Sequence, residues 1–119
     1  MFTDVPRSAA RMGNGGQLGF VRPLRPTLVY EPPSGEGWVH EIKHDGNRTI
    51  VVVEDGAARA LTRNGHDWTD QYARVADGAA DLNCRSAILD GEIIVQDENG
   101  LSDFSALRSA MKREIRETR

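Results

Sequence analysis

Trp38-Val39-His40-Glu41-Ile42-Lys43-His44-Asp45-Gly46-Asn47-Arg48-Thr49-Ile50-Val51-Val52-Val53 is the stretch on which the reading of this chain turns. From Thr49 to Val53 the residues are β-branched without polar alternation, the pattern of a strand covered on both faces. Upstream, Trp38 to Lys43 also reads as a strand, with Glu41 and Lys43 on one face and His40 and Ile42 on the other. The six residues Lys43 to Arg48 then form a bend between the two. A lysine delivered there, beside an acid, a glycine and an arginine, is equipped to attack a phosphate. The amine is the nucleophile, the arginine holds negative oxygens, and the glycine admits a close backbone approach.

Working outward, Glu54-Asp55-Gly56 turns the central strand into Ala57-Ala58-Arg59-Ala60-Leu61-Thr62, a hairpin. Arg63-Asn64-Gly65-His66 follows. Asn-Gly marks a turn, so Arg63 sits at a strand terminus, where side chains reach ligands. Tyr72, Val75, Ala76, Ala79 and Leu82 share one stripe of a helix, with Thr69 or a neighbour as its cap. Ser86 to Val95 reads as an apolar strand interrupted by Asp90-Gly91-Glu92. Two acids in such a run need a reason, because a buried unpaired carboxylate costs several kcal/mol. After the turn Asp97-Glu98-Asn99-Gly100, Ser102 caps a last helix carrying Phe104, Leu107, Met111 and Ile115. The fold class expected is α+β, an antiparallel sheet with flanking helices.

The bulk properties set limits. At 119 residues the chain holds at most one small domain, and 39% apolar with 28% charged residues suits a globular protein. Residues 1–19, rich in Gly, Ser, Ala and Arg, read as a disordered leader, and 20–119 as the folded part. Nothing resembles a secretory signal or a membrane span. Cys84 is alone, which fits a reducing cytosol, and it reads as a small filler near a strand start. A formal charge of −3 argues against wholesale electrostatic binding of nucleic acid, although the last eight residues are locally basic.

Lys43 and Arg48 come from the bend, Arg63 from the next strand end and Glu92 from a later strand; on one sheet they would line one pocket. Singly, each has an ordinary explanation: an Asp45–Arg48 surface ion pair, turn chemistry at Arg63, a β-bulge at Asp90-Gly91-Glu92. Jointly, Lys-x-Asp-Gly-x-Arg, Leu61-Thr62-Arg63-Asn64-Gly65-His66-Asp67-Trp68-Thr69 and Leu89-Asp90-Gly91-Glu92 resemble the covalent nucleotidyltransferases. The span Phe20–Lys112 looks like the front half of the ATP-grasp-like adenylation domain of an ATP-dependent DNA ligase, of the bacterial ligase D type used in end joining.

The resemblance implies that Lys43 attacks the α-phosphorus of ATP, expels pyrophosphate and carries AMP to a DNA 5′-phosphate, after which a 3′-hydroxyl seals the nick. It places Glu41 by the adenine, Arg48 and Arg63 on sugar and phosphate oxygens, and Glu92 on the ribose or on a divalent metal, Mg²⁺ or Mn²⁺. Asp45 and Gly46 support the loop. Attack needs a neutral amine, so neighbouring cations must work against an ordinary lysine pKa of about 10.4. The partners implied are nicked or broken double-stranded DNA, a complementary C-terminal half and other end-joining proteins, in a cytoplasmic, nucleoid-associated setting. His44 and Asn47 stand where relatives often carry large apolar residues. The family's later segments, an adenine-stacking aromatic, Glu-Gly-x-Val-x-Lys, Lys-x-Lys and an oligonucleotide-binding fold, are not among these 119 residues, so open apolar edges are expected. Two other readings compete: a catalytically silent fragment that binds a nucleotide or partner, and an RNA ligase or capping relative.

Overall fold

The computed structural model describes residues 18–117, with side chains to Arg113. Three strands and two helices follow in the order β1 (Asn47–Glu54), β2 (Ala57–Thr62), α1 (Ala73–Ala80), β3 (Ser86–Ile93) and α2 (Phe104–Glu117). The sheet is antiparallel throughout with β1 in the middle, in the order β2-β1-β3. This is the α+β arrangement the sequence led us to expect.

Burial on both sides explains why β1 lacks polar alternation. Ile50 and Val52 pack with Leu18 and Leu61, flanked by Phe20 and Ile88. Val51 and Val53 pack on the other face with Ala60, Tyr72 and Ala79, with Met111 against them. Each of these four β1 residues is at most 6% exposed, and each fully buried side chain of this size contributes about 1.5–3 kcal/mol. Leu18, inside the stretch read as leader, belongs to this core; its N–H donates to Glu54 and its carbonyl accepts from Arg59. Gly19 beside it is exposed, and residues 1–17 of that leader lie outside the described residues.

The β1–β2 turn is a two-residue one, Asp55-Gly56, with φ of 49° and 80°. Positive φ at both positions matches the twist of the strands it joins, and Asp-Gly tolerates it. After β2 the chain folds back on that strand. Trp68 N–H donates to the Ala60 carbonyl, and Thr69 Oγ1 accepts from Ala60 N–H. Thr69 Oγ1 also donates to Asp67 at 2.6 Å. Thr69 is therefore committed to the β2 edge and does not cap α1, which begins after Tyr72 without a side-chain cap. The helix stripe is narrower than expected: Tyr72, Ala76 and Ala79 are buried, while Val75 and Leu82 are exposed.

Three local expectations, and one of the ordinary alternatives, are corrected. Residues 38–45 form no strand, and Val39 and Ile42 are 86% and 80% exposed; β-branched residues alone do not make a strand without a neighbour to pair with. β3 carries no bulge, for its register to β1 is unbroken from Ser86 to Ile93. Its acids are tolerable because they stand in water at the end of an edge strand. The α2 cap is Asp103, whose Oδ1 accepts from Ala106 N–H, and not Ser102. Cys84 is exposed, so it fills no gap. No described helix is long and apolar enough to cross a membrane.

Gly46 is fixed by packing. A Cβ there would run into the Ile93 carbonyl oxygen and meet Ile94 Cγ2 at 2.7 Å, whereas one at Gly91 meets nothing within 4 Å. Gly46→Ala should cost about 1–3 kcal/mol in denaturant unfolding, and Gly91→Ala well under that; equal effects would show that the loop yields freely. A second expectation concerns Asp67, whose carboxyl is held below its ordinary range by the Thr69 hydroxyl first and the Thr69 N–H second. A depressed carboxylate stabilises the fold above its unfolded pKa, and that contribution fades as pH falls through the folded value. Thr69→Val should raise the Asp67 titration midpoint, followed by carboxyl NMR, and flatten the loss of stability between neutral and acid pH.

Candidate active site

Ladder register assembles the site. Arg48 on β1 stands opposite Glu92 on β3. On the other side the last β1–β2 pair is Thr49 with Thr62, so Arg63 leaves β2 one residue beyond, level with Arg48. Arg63, Arg48 and Glu92 thus form a row across one end of the sheet. Lys43 reaches the same end from the loop before β1, where Gly46 slides under Ile93.

These four residues line one open cleft of about 670 Å³, with Gly46 and Asn47 in its wall and Pro23–Pro26 on one rim. The volume falls within the range of small-molecule sites. Trp68, Tyr72 and Phe104 supply aromatic surface, and the Trp68 and Tyr72 rings lie 6.0 Å apart. A shallower recess next to it is bounded by Lys43, His44, Asp45, Gly46, Glu92 and Phe104. Glu41 lies in exposed coil and borders neither.

Charges in the cleft are arranged differently from the simplest expectation. Asp45 pairs with Lys43, Nζ to Oδ1 at 3.2 Å, and both side chains are more than 60% exposed. Such a pair contributes little in water. Arg48 turns instead to Asp90. Its Nε and Nη2 donate to the two carboxylate oxygens at 2.6 and 2.7 Å, a side-on bidentate contact. That hydrogen bond is the chief reason the Arg48 guanidinium is held above its already high pKa, with burial opposing it. Asp90 was the residue that sequence reasoning left without a role. The available signal was spacing: Asp90 and Glu92 alternate onto the same face as Arg48, within diagonal reach of it.

Below the cleft, Asn47 Nδ2 donates to the Tyr72 hydroxyl at 2.8 Å and reaches Met111 Sδ at 3.6 Å. One polar side chain therefore joins β1 to the residue that precedes α1 and to α2, which accounts for an asparagine where bulk was expected. Burial pushes the Tyr72 phenol above its ordinary pKa, and the Asn47 bond works against that. His40 meets the Pro33 carbonyl at 2.9 Å.

Among the described residues no three His, Cys, Asp or Glu side chains cluster as a metal site. Glu92 could offer one carboxylate, since Asp90 is engaged by Arg48. A Mg²⁺ ion at this row would take most of its ligands from water and phosphate oxygens, its ordinary habit with nucleotides.

The Arg48–Asp90 contact is testable alone. A double-mutant cycle with Arg48→Ala and Asp90→Ala should return a coupling of about 1 kcal/mol, limited by the exposure of Asp90. Arg48→Lys should lose most of it, because an ammonium cannot form the fork. A coupling within error of zero would mean the pair does not persist in solution.

The family model described as ATP dependent DNA ligase domain matches residues 28–119. The multifunctional non-homologous end joining protein LigD of Pseudomonas aeruginosa is 42% identical over 113 residues, covering 92% of this chain and 13% of that protein. The SPbeta prophage-derived DNA ligase-like protein LigB of Bacillus subtilis is 32% identical over 88 residues, 74% of this chain and 32% of that one. Among solved structures, the ligase domain of M. tuberculosis LigD superposes with a TM-score of 0.53 at 33% identity, over 58% of this chain and 23% of that chain. A mycobacterial DNA ligase D complexed with ATP and MES matches with the same TM-score at 37% identity, over 57% of this chain and 23% of that chain. The chain thus spans about an eighth of the Pseudomonas relative and a quarter of the solved ligase chains. A sequence match running from Leu28 onward and a superposable fold agree, and the chain belongs to the ATP-dependent DNA ligase domain family.

Proposed function

We propose that the chain carries the nucleophile-bearing part of an adenylation site, and that its parent reaction is nick sealing in DNA end joining. The observation that carries this reading is the shared cleft: Lys43, Arg48, Arg63 and Glu92 arrive from three different segments and border one volume. The family is ATP-dependent, and a similar ligase D has been solved with ATP.

In the first step the Lys43 amine, released from Asp45 and relieved of its extra proton, attacks the α-phosphorus of ATP. The N–P bond forms as the bond to the pyrophosphate oxygen breaks, and the amine loses its proton. Arg48 and Arg63 face the triphosphate and offset charge that spreads onto its oxygens, a stabilisation strongest where water is excluded. Glu92, opposite Arg48, accepts from a ribose hydroxyl, whereas Glu41, in exposed coil outside the cleft, would have to move to reach the base. Bound Mg²⁺ would supply further neutralisation of the phosphates. The AMP then passes to a DNA 5′-phosphate, and attack by a 3′-hydroxyl releases it as the phosphodiester forms. Broken or nicked double-stranded DNA and the end-joining apparatus of the nucleoid are the partners this reading implies.

A second reading, binding without chemistry, draws on the exposure of Leu28, Tyr30, Val39 and Ile42, each at least 80% open to solvent. Patches of this kind mark contact surfaces. Incubation with α-labelled ATP and Mg²⁺ separates the two. Covalent label on the wild type that disappears in Lys43→Ala supports the adenylation site. Saturable binding without covalent label supports the second reading and contradicts the first.

A further inference from the structure

The segment that presents Lys43 has little to hold it. Residues 41–45 are exposed coil, and the Lys43–Asp45 pair is internal to that coil. Among the described residues, one hydrogen bond ties this stretch to a distant element: Asp45 N–H donates to Ser102 Oγ at 3.0 Å, across 57 positions of sequence.

Ser102 is well placed to serve as an anchor. Just before it, Asp97 Oδ1 accepts from the N–H groups of Asn99 and Leu101 and closes the turn after β3. Ser102 itself bridges to Gln96. Just after it, Asp103 N–H donates to the Val95 carbonyl, and the Asp103 side chain caps α2. The backbone at Ser102 is thus pinned from both sides, and its hydroxyl is not engaged in capping. Two residues on, Phe104 borders the same cleft as Lys43.

We infer that Ser102 is a positioning residue for Lys43: its hydroxyl accepts the Asp45 N–H and holds the nucleophile loop over the cleft. The inference rests on Lys43 being the nucleophile. The bond lies at the surface, so water replaces it when it is lost and the fold hardly suffers. What changes is the fraction of time the amine spends in an attacking position, a quantity to which rate is sensitive.

The test compares the whole chain with Ser102→Ala and Ser102→Thr, the latter keeping the hydroxyl. For Ser102→Ala the first-order rate of Lys43 labelling by α-labelled ATP should fall about 3- to 10-fold. The half-saturating ATP concentration should stay within about twofold, and the Asp45 amide should exchange faster with deuterium. Ser102→Thr should restore both the rate and the protection. Equal labelling rates, an effect confined to half-saturation, unchanged Asp45 exchange or failure of threonine to restore either readout would overturn the inference. An unlabelled wild type is a separate result: it removes the nucleophile reading and the inference together, whereas a labelled wild type matched in rate by Ser102→Ala removes the inference alone.

Discussion

Burial of β1 on both faces is the constraint from which the rest follows. A strand with Ile50, Val51, Val52 and Val53 all inside must find a neighbour on each edge and a cover for each side. It pairs with β2 and β3, while Leu18 and Phe20 cover one face and α1 the other. Once both ladders are in register, no freedom remains in where Arg48 falls relative to Glu92 and Arg63. A one-residue slip would send Arg48 to the opposite face and bring Asn47 or Thr49 in its place. Core packing therefore sets the geometry of the cleft, although none of its charged residues belongs to the core.

Lys43 depends on a different kind of support. Arg48 and Glu92 are held by paired backbone and Arg63 stands one residue past the β1–β2 ladder, but the amine comes from coil whose approach is set by the Gly46 crossing under Ile93. A rigid set of charges facing a loosely held amine suits a site in which a ligand completes the order. The Asp90 contact contributes to the rigid part. It fixes the Arg48 guanidinium by two short hydrogen bonds, so that its orientation does not wait on a ligand.

Much of this was legible in the residues. The unalternating run at Thr49–Val53, the Asp55-Gly56 turn and the stripe through Tyr72, Ala76 and Ala79 are local patterns with local causes, and each appears in the fold. What was not legible depended on partners far away. Trp38–Lys43 has strand composition but no strand beside it. Thr69 and Ser102 look like caps, yet both hydroxyls are claimed by groups whose proximity follows from tertiary folding, Ala60 and Asp45. Arg48 had Asp45 near it in sequence and chose Asp90, because the β1–β3 register brings that carboxylate within reach from the same face. The order of the four site residues was readable from motif spacing; their convergence required the register.

The account makes one demand above all, that these four positions respond to nucleotide as a single site. Titrating the isotope-labelled chain with ATP while following amide and side-chain resonances measures this directly. The expected result is concerted movement at Lys43, Gly46, Arg48, Arg63 and Glu92 with one common dissociation constant. Shifts confined to the β1–β2 turn, or different constants for Lys43 and for the Arg48–Arg63–Glu92 row, would contradict it.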